Sequence, residues 1–298
     1  LARPLTSIEG RALGTEAHGV LCFRLHDYAL GNDRLTESLR LFTQLEDAEN
    51  IAFVLNHLGN IASDQGRYDD AEHYLLESLA LSRQHDFAWN VAASLSNLAG
   101  VLAKQGKLDE AVARYAESVG RYRQIGDVST AASVTSNMAS VFYDLGDYAK
   151  AQQLYEHSYT TMAGHRDEWR LAYAAFGLAN VAQKQGYIDL AKQRYRESIH
   201  LFFSTQNSRD TIMALCKLAD LEWADGRWPA EKLVEFLSMA TAFIQTAHMA
   251  LEPNEQLDYD KTLAAARAAL ATDAFDGAWS RGQTLALEAA VAFATAQE

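Results

Sequence analysis

GRYDDAEHYLLESLALSRQ (residues 66–84), GKLDEAVARYAESVGRYRQ (residues 106–124) and GDYAKAQQLYEHSYTTMAG (residues 146–164) follow one another at intervals of forty residues. Recurrence at a fixed period is the signature of a repeat architecture. The register is strict: Gly66, Gly106, Gly146, Gly186 and Gly226 are each forty apart. Two residues after each glycine stands a large apolar residue, Tyr68, Leu108, Tyr148, Ile188 or Trp228. Small residues follow at Ala71, Ala111, Ala151 and Ala191, then Leu75, Tyr115, Tyr155 and Tyr195. A serine closes the pattern at Ser78, Ser118, Ser158, Ser198 and Ser238. Backwards, the frame meets Tyr28, Gly31, Leu35 and Ser38, with His26 in place of the glycine.

Each unit has an upstream half, marked by Leu58-Gly59, Leu98-Ala99, Met138-Ala139, Leu178-Ala179 and Leu218-Ala219. Apolar residues around these pairs recur at three and four, as in Val54, Leu55, Leu58 and Ile61, which is helical periodicity. The unit therefore reads as helix A, a turn at the glycine, then helix B. Glycine takes the left-handed conformation that ends helix A without a Cβ penalty. Asp69-Asp70 and Asp109-Glu110 place negative charge in the first turn of helix B, and Pro229 fits the first turn of the last one. Small side chains let helices A and B approach closely. The repeated serine reads as a small packing residue whose hydroxyl bonds back to its own helix.

Position by position within the unit, this pattern resembles the tetratricopeptide repeat. The resemblance covers roughly residues 6–248 and implies an all-α, right-handed superhelical solenoid of about six antiparallel helix pairs, the first and last degenerate. The forty-residue period exceeds the usual thirty-four or so. The surplus falls at RQHDFAWN and RQIGDVST between units. In the fifth unit, Glu231 and Glu235 stand where alanine and a large apolar residue are expected. Residues 249–298 break the period and read as capping helices, with Pro253 at the boundary. Their segment YDKTLAAARAALATDAFDGAWSRGQTLALEAAVAFA resembles the end of the repeat region in bacterial signal-transduction ATPases of the STAND class and in LuxR-type and AfsR-like regulators. That resemblance implies a sensor or interaction arm, with an upstream nucleotide-binding switch domain in the full-length protein. Leu1 in place of Met agrees with a piece of something longer.

Composition narrows the function. The 298-residue chain has 49% hydrophobic residues and only three prolines, so a helical core is affordable throughout. Its net charge of −13 opposes contact with phosphate backbones, so no direct nucleic-acid partner is expected. Cys22 and Cys216 have no CxxC partner, which suits a reducing cytoplasm. No apolar run approaches the roughly 20 residues of a membrane span. The chain holds no GxxxxGK[ST], HExxH, GxSxG or GxGxxG motif, so no catalytic residue, cofactor or metal is expected.

The family resemblance implies that helix A lines a concave groove. Its inward positions are Asn56, Ser96, Ser136 and Phe176; Asn97, Asn137 and Lys217; and Asn60, Ser140, Asn180 and Asp220. One turn further lie Tyr143, Gln183 and Trp223, and one turn earlier Tyr173. Asn97 and Asn137 repeat at one position, where an amide can donate to and accept from a peptide backbone at once. The expected partner is a protein, a peptide or a small effector. The alternative is a scaffold that self-associates through its convex surface.

Overall fold

The computed structural model describes residues 7–25, 27–246 and 253–296. Eleven helices begin at intervals of twenty residues: α1 (Ile8–Arg24), α2 (Tyr28–Gln44), α3 (Ala48–Asp64), α4 (Tyr68–Gln84), α5 (Ala88–Lys104), α6 (Leu108–Gln124), α7 (Val128–Asp144), α8 (Tyr148–His165), α9 (Glu168–Lys184), α10 (Ile188–Ser204) and α11 (Ser208–Ala224). Then come α12 (Ala230–Thr246), α13 (Pro253–Ala268), α14 (Thr272–Gln283) and α15 (Leu287–Thr295). The described residues contain no strand, and the fold is an all-α, tetratricopeptide-like solenoid.

The forty-residue period is thus two long helices and two short turns. The surplus at RQHDFAWN and RQIGDVST lengthens helices, because Ala88 already opens α5 and Val128 opens α7. Each turn carries one left-handed residue. In the A-to-B turns it is Gly66, Gly106, Gly146, Gly186 and Gly226, with φ between 71 and 82°. In the B-to-A turns it is Gly126 but also Glu46, Asp86, Arg166 and Gln206, with φ between 54 and 59° for these four. His26, at the equivalent place, lies outside the described residues. The amide after the left-handed residue closes each helix, as Arg67 N does on Ala62 O and Asp47 N on Phe42 O. Six of the helices that follow are side-chain capped: the carboxylates of Asp27, Asp47, Asp127, Asp147 and Asp167 and the amide oxygen of Asn207 each accept an amide three residues on.

The repeated serine does more than pack. Ser38, Ser78 and Ser118 donate across the hairpin to the carbonyls of Ala12, Ala52 and Ala92, at 2.7–2.9 Å. The expected bond to the serine's own helix occurs at Ser198, which donates to Tyr195 O. The small-residue contact explains the cross-hairpin bond. A Cβ on Gly59 would stand 2.7 Å from Leu75 Cγ, and one on Gly19 would meet Leu35 the same way. At that approach a hydroxyl on one helix reaches a carbonyl on the other.

The chain divides into two compact units, residues 1–154 and 155–298. The first holds a core of Leu35, Phe42, Leu58 and Ile61, and another of Leu75, Leu95, Leu98 and Tyr115. Burying each large side chain contributes about 1.5–3 kcal/mol. The second unit centres on Tyr195, Phe202, Leu215, Leu218 and Phe236, extended by Phe275 and Val291 of the tail. There α14 lies against α12 at Gly282, where a Cβ would meet Glu235 O at 2.3 Å. Ser238 donates to Trp279 O of α14. Glu235, placed at an expected apolar position, is buried between Lys232 at 2.6 Å and Arg281 at 2.7 Å. The expected boundary between 248 and 249 lies outside the described residues.

Candidate functional site

Helices α3, α5 and α7 present one face to a cleft of about 270 Å³ in the first unit. Five of the expected groove residues line it: Asn56, Asn60, Ser96, Asn97 and Asn137. Phe53, Trp89 and Tyr122 give it aromatic walls. Trp89 is 47% exposed and meets Tyr122 edge-on at 6.2 Å between ring centroids. Amides and hydroxyls make up most of the remaining lining.

The amides are not equivalent. Asn97 Nδ2 donates to Asn56 Oδ1 at 2.7 Å, and Asn56 Nδ2 donates to Ser94 Oγ at 3.1 Å. Ser94 then meets Ser78, which donates to Ala52 O. A hydrogen-bonded chain therefore runs from the cleft into the hairpin interior. It fixes the rotamers of both amides. Asn56 is buried and belongs to the structure, whereas Asn97 is half-buried in the cleft wall with one Nδ2 donor engaged. Asn137 lies exposed on α7.

None of the described residues lining the cleft carries a charge at neutral pH. Its only titratable member near that range is His57, which sits edge-on to Phe23 and Phe53. Burial, and secondarily Arg24, lowers its pKa from 6.5 to about 4. Its Nδ1 is buried without a partner. In a chain of net charge −13, this is a neutral window.

The remaining expected residues lie elsewhere. Ser136 is buried with its hydroxyl unpartnered, and Ser140 donates to the carbonyl of Asn137 on its own helix. Tyr143 packs on Tyr148 at 5.5 Å. In the second unit, Tyr173 packs edge-on to Trp169 and Phe202, and its hydroxyl donates to the Asp210 carboxylate. Phe176 is half-buried against Tyr195 and Phe202. The Tyr195 hydroxyl lies between the side-chain amides of Asn180 and Gln183, at 2.6 and 2.9 Å. Trp223 is half-buried against the core of that unit. Gln183, Lys217 and Asp220 line a separate cavity. The aromatic side chains expected as ligand anchors are thus largely engaged with neighbouring helices.

Trp89, Asn90, Tyr122, Thr130 and Val134 line the first cleft without having been expected there. Trp89 and Asn90 fell in a segment read as extending either the helices or their connections. The twenty-residue spacing of Asp27, Asp47, Asp127 and Asp147 was the missed signal, because it fixes where each helix starts. A second missed feature is a buried ionic cluster in the second unit. Lys192 lies 3.0 Å from Glu222 and 2.6 Å from Asp225, and Arg196 bonds both Glu222 and Ala294 O.

Among the described residues, no three His, Cys, Asp or Glu side chains gather as metal ligands. No described helix is long and apolar enough to cross a membrane. Cys22 and Cys216 are both free thiols.

The tetratricopeptide repeat family model matches residues 11–84 and 90–163. No curated protein matches the chain. Among solved structures, the fold is similar to a Rap protein complexed with Competence and Sporulation Factor, with a TM-score of 0.68 at 15% identity over 94% of this chain and 75% of that one. It is similar to a Signal Transduction ATPase with Numerous Domains protein with a tetratricopeptide repeat sensor from Pyrococcus horikoshii, with a TM-score of 0.64 at 12% identity over 92% of this chain and 44% of that one. BtubC from P. vanneervenii gives 0.57 at 18% identity over 77% of this chain and 94% of that one.

Proposed function

The chain belongs to the tetratricopeptide-repeat superfamily, and on that premise we propose that it is a non-catalytic recognition arm whose first unit binds an uncharged stretch of a peptide or partner protein. The observation that carries this reading is the neutral cleft: an exposed indole, a hydrogen-bonded amide pair and no charged side chain among the described residues that line it. Trp89 and Tyr122 suit a bulky apolar side chain. The oxygen of Asn97, held by the chain through Asn56, suits a backbone N–H. Charged chain termini do not suit a site without a counter-charge.

Two fold neighbours support a sensor role within a larger regulator. One was solved complexed with Competence and Sporulation Factor, and the other is a signal-transduction ATPase with a tetratricopeptide repeat sensor, 44% of whose chain the match covers. On this reading residues 249–298 cap the repeats of the second unit.

The test uses a peptide selected against the whole chain from a random library. The consensus should be uncharged and contain a bulky apolar residue. Asn97→Ala with Asn137→Ala should weaken binding roughly tenfold, the worth of one or two hydrogen bonds. The dissociation constant should barely move between about 50 and 500 mM salt, because no charge faces the ligand. An acidic or basic consensus, or a double variant that binds like the parent, would refute the assignment.

A further inference from the structure

The second unit holds a cavity of different chemistry, closed by the first helix of the tail. It measures about 240 Å³, and α9, α11, α12 and α13 all line it. Its floor is apolar, formed by Met213, Leu237, Ala240 and Ile244. Its rim is ionic. Lys184, Lys217 and Lys261 come from three different helices and converge on Asp258 of α13. Lys217 Nζ lies 2.8 Å from Asp258 Oδ2, and that bond, followed by the fields of Lys184 and Lys261, holds the Asp258 carboxyl below its ordinary range. Asp220 is the second carboxylate, bonded by the hydroxyl of Thr262.

Three ammonium groups against two carboxylates leave the rim with one unmatched positive charge. Burial also pushes the Asp220 carboxyl up, so its negative charge is the more weakly held of the two. This local surplus stands out in a chain of net charge −13. The volume lies below the roughly 300–1,000 Å³ of a pocket for drug-sized ligands, which restricts the occupant to a small molecule. Lys261 is what helix A alone cannot supply. It comes from α13, so the lysine set exists only when the tail helix is docked. Docking rests on the Lys217–Asp258 pair and on Tyr259, whose hydroxyl donates to Leu237 O at 3.1 Å.

We propose that this cavity is a binding site for a small amphipathic monocarboxylate, its hydrocarbon body on the Met213–Leu237–Ile244 floor and its carboxylate among Lys184, Lys217 and Lys261. The ligand completes the charge balance of the rim and ties α13 to α9 and α11. The site is independent of the neutral cleft in the first unit, so either reading can fail without the other.

Octanoate, 1-octanol and octylamine form the probe set, titrated calorimetrically into the whole chain. Octanoate is expected to bind best and octylamine worst. Lys184→Ala and Lys261→Ala both remove exposed side chains and should leave helicity intact. Each should weaken octanoate roughly fivefold, the upper range for one exposed charge pair, and leave octanol unchanged. Ile244→Phe, which fills the cavity from its edge, should abolish binding of both octanoate and octanol while the melting temperature stays within a few degrees. Absence of octanoate binding would overturn the proposal. So would equal affinity for octanoate and octanol, or octanoate binding that ignores both lysine variants or Ile244→Phe.

Discussion

Ser78 and His57 show how much one side chain decides here. The Ser78 hydroxyl joins α4 to the carbonyl of Ala52 on α3 and also meets Ser94 on α5. Ser78→Ala keeps the volume nearly constant and removes both bonds, leaving a buried carbonyl and a buried hydroxyl short of a partner. We expect a loss of about 1–3 kcal/mol, read as a lower midpoint in urea. His57 gives a pH signature. The unfolded chain binds a proton near 6.5, but the folded chain does so only near 4, because burial opposes the charge. Stability should therefore be full above about pH 6.5 and fall as the pH drops from there towards 4, by about 3 kcal/mol at most. His57→Phe should flatten that slope in denaturation curves taken across the range.

At the level of the helix, the turns carry the repeat. Asp86 holds a left-handed φ of 56°, a place where Gly126 stands forty residues later with φ 80°. A side chain in that region costs about 1–2 kcal/mol relative to glycine, so Asp86→Gly should raise the melting temperature; an unchanged or lower value would contradict the strain. The forty-residue glycines made the hairpins legible, and the small residues at Gly59 and Ala71 made their close packing legible too. The connections were harder. The left-handed residue between units is glycine once and one of four different polar residues in the other described turns, so no single residue type marks it, and the segment around Trp89 read equally as longer helix or longer connection. The cleft was half visible for the same reason. Asn56, Asn60, Ser96, Asn97 and Asn137 follow from helix A periodicity, whereas Trp89 and Tyr122 come from helix ends. That Tyr173 and Phe176 pack on neighbouring rings instead of opening to a ligand depends on Phe202 and Tyr195, which a single-helix register cannot weigh.

At the scale of the whole chain, the two units use charge in opposite ways. The first keeps it away from its cleft. The second buries it: Glu222 is held by Lys192 and Arg196, and Arg196 reaches the carbonyl of Ala294, so α10, α11 and α15 share one ionic cluster. Removing one member of such a cluster leaves its partners unpaired in the interior. Glu222→Ala should cost about 3–5 kcal/mol, seen as an early unfolding transition. A variant that also replaces Lys192 and Arg196 by methionine should recover much of that loss, because the interior then holds no unpaired charge.

The central claim is that an uncharged peptide stretch sits between Trp89 and the Asn97–Asn137 amides. The direct measurement is a nuclear magnetic resonance titration of the whole chain with the library-selected peptide, following side-chain amide and indole signals. The account predicts that the Trp89 indole and the Asn97 and Asn137 side-chain amides shift together with one dissociation constant, while the Trp223 indole of the second unit stays still. Movement confined to Trp223, or a bound peptide that leaves Trp89 and both asparagines unmoved, would contradict it.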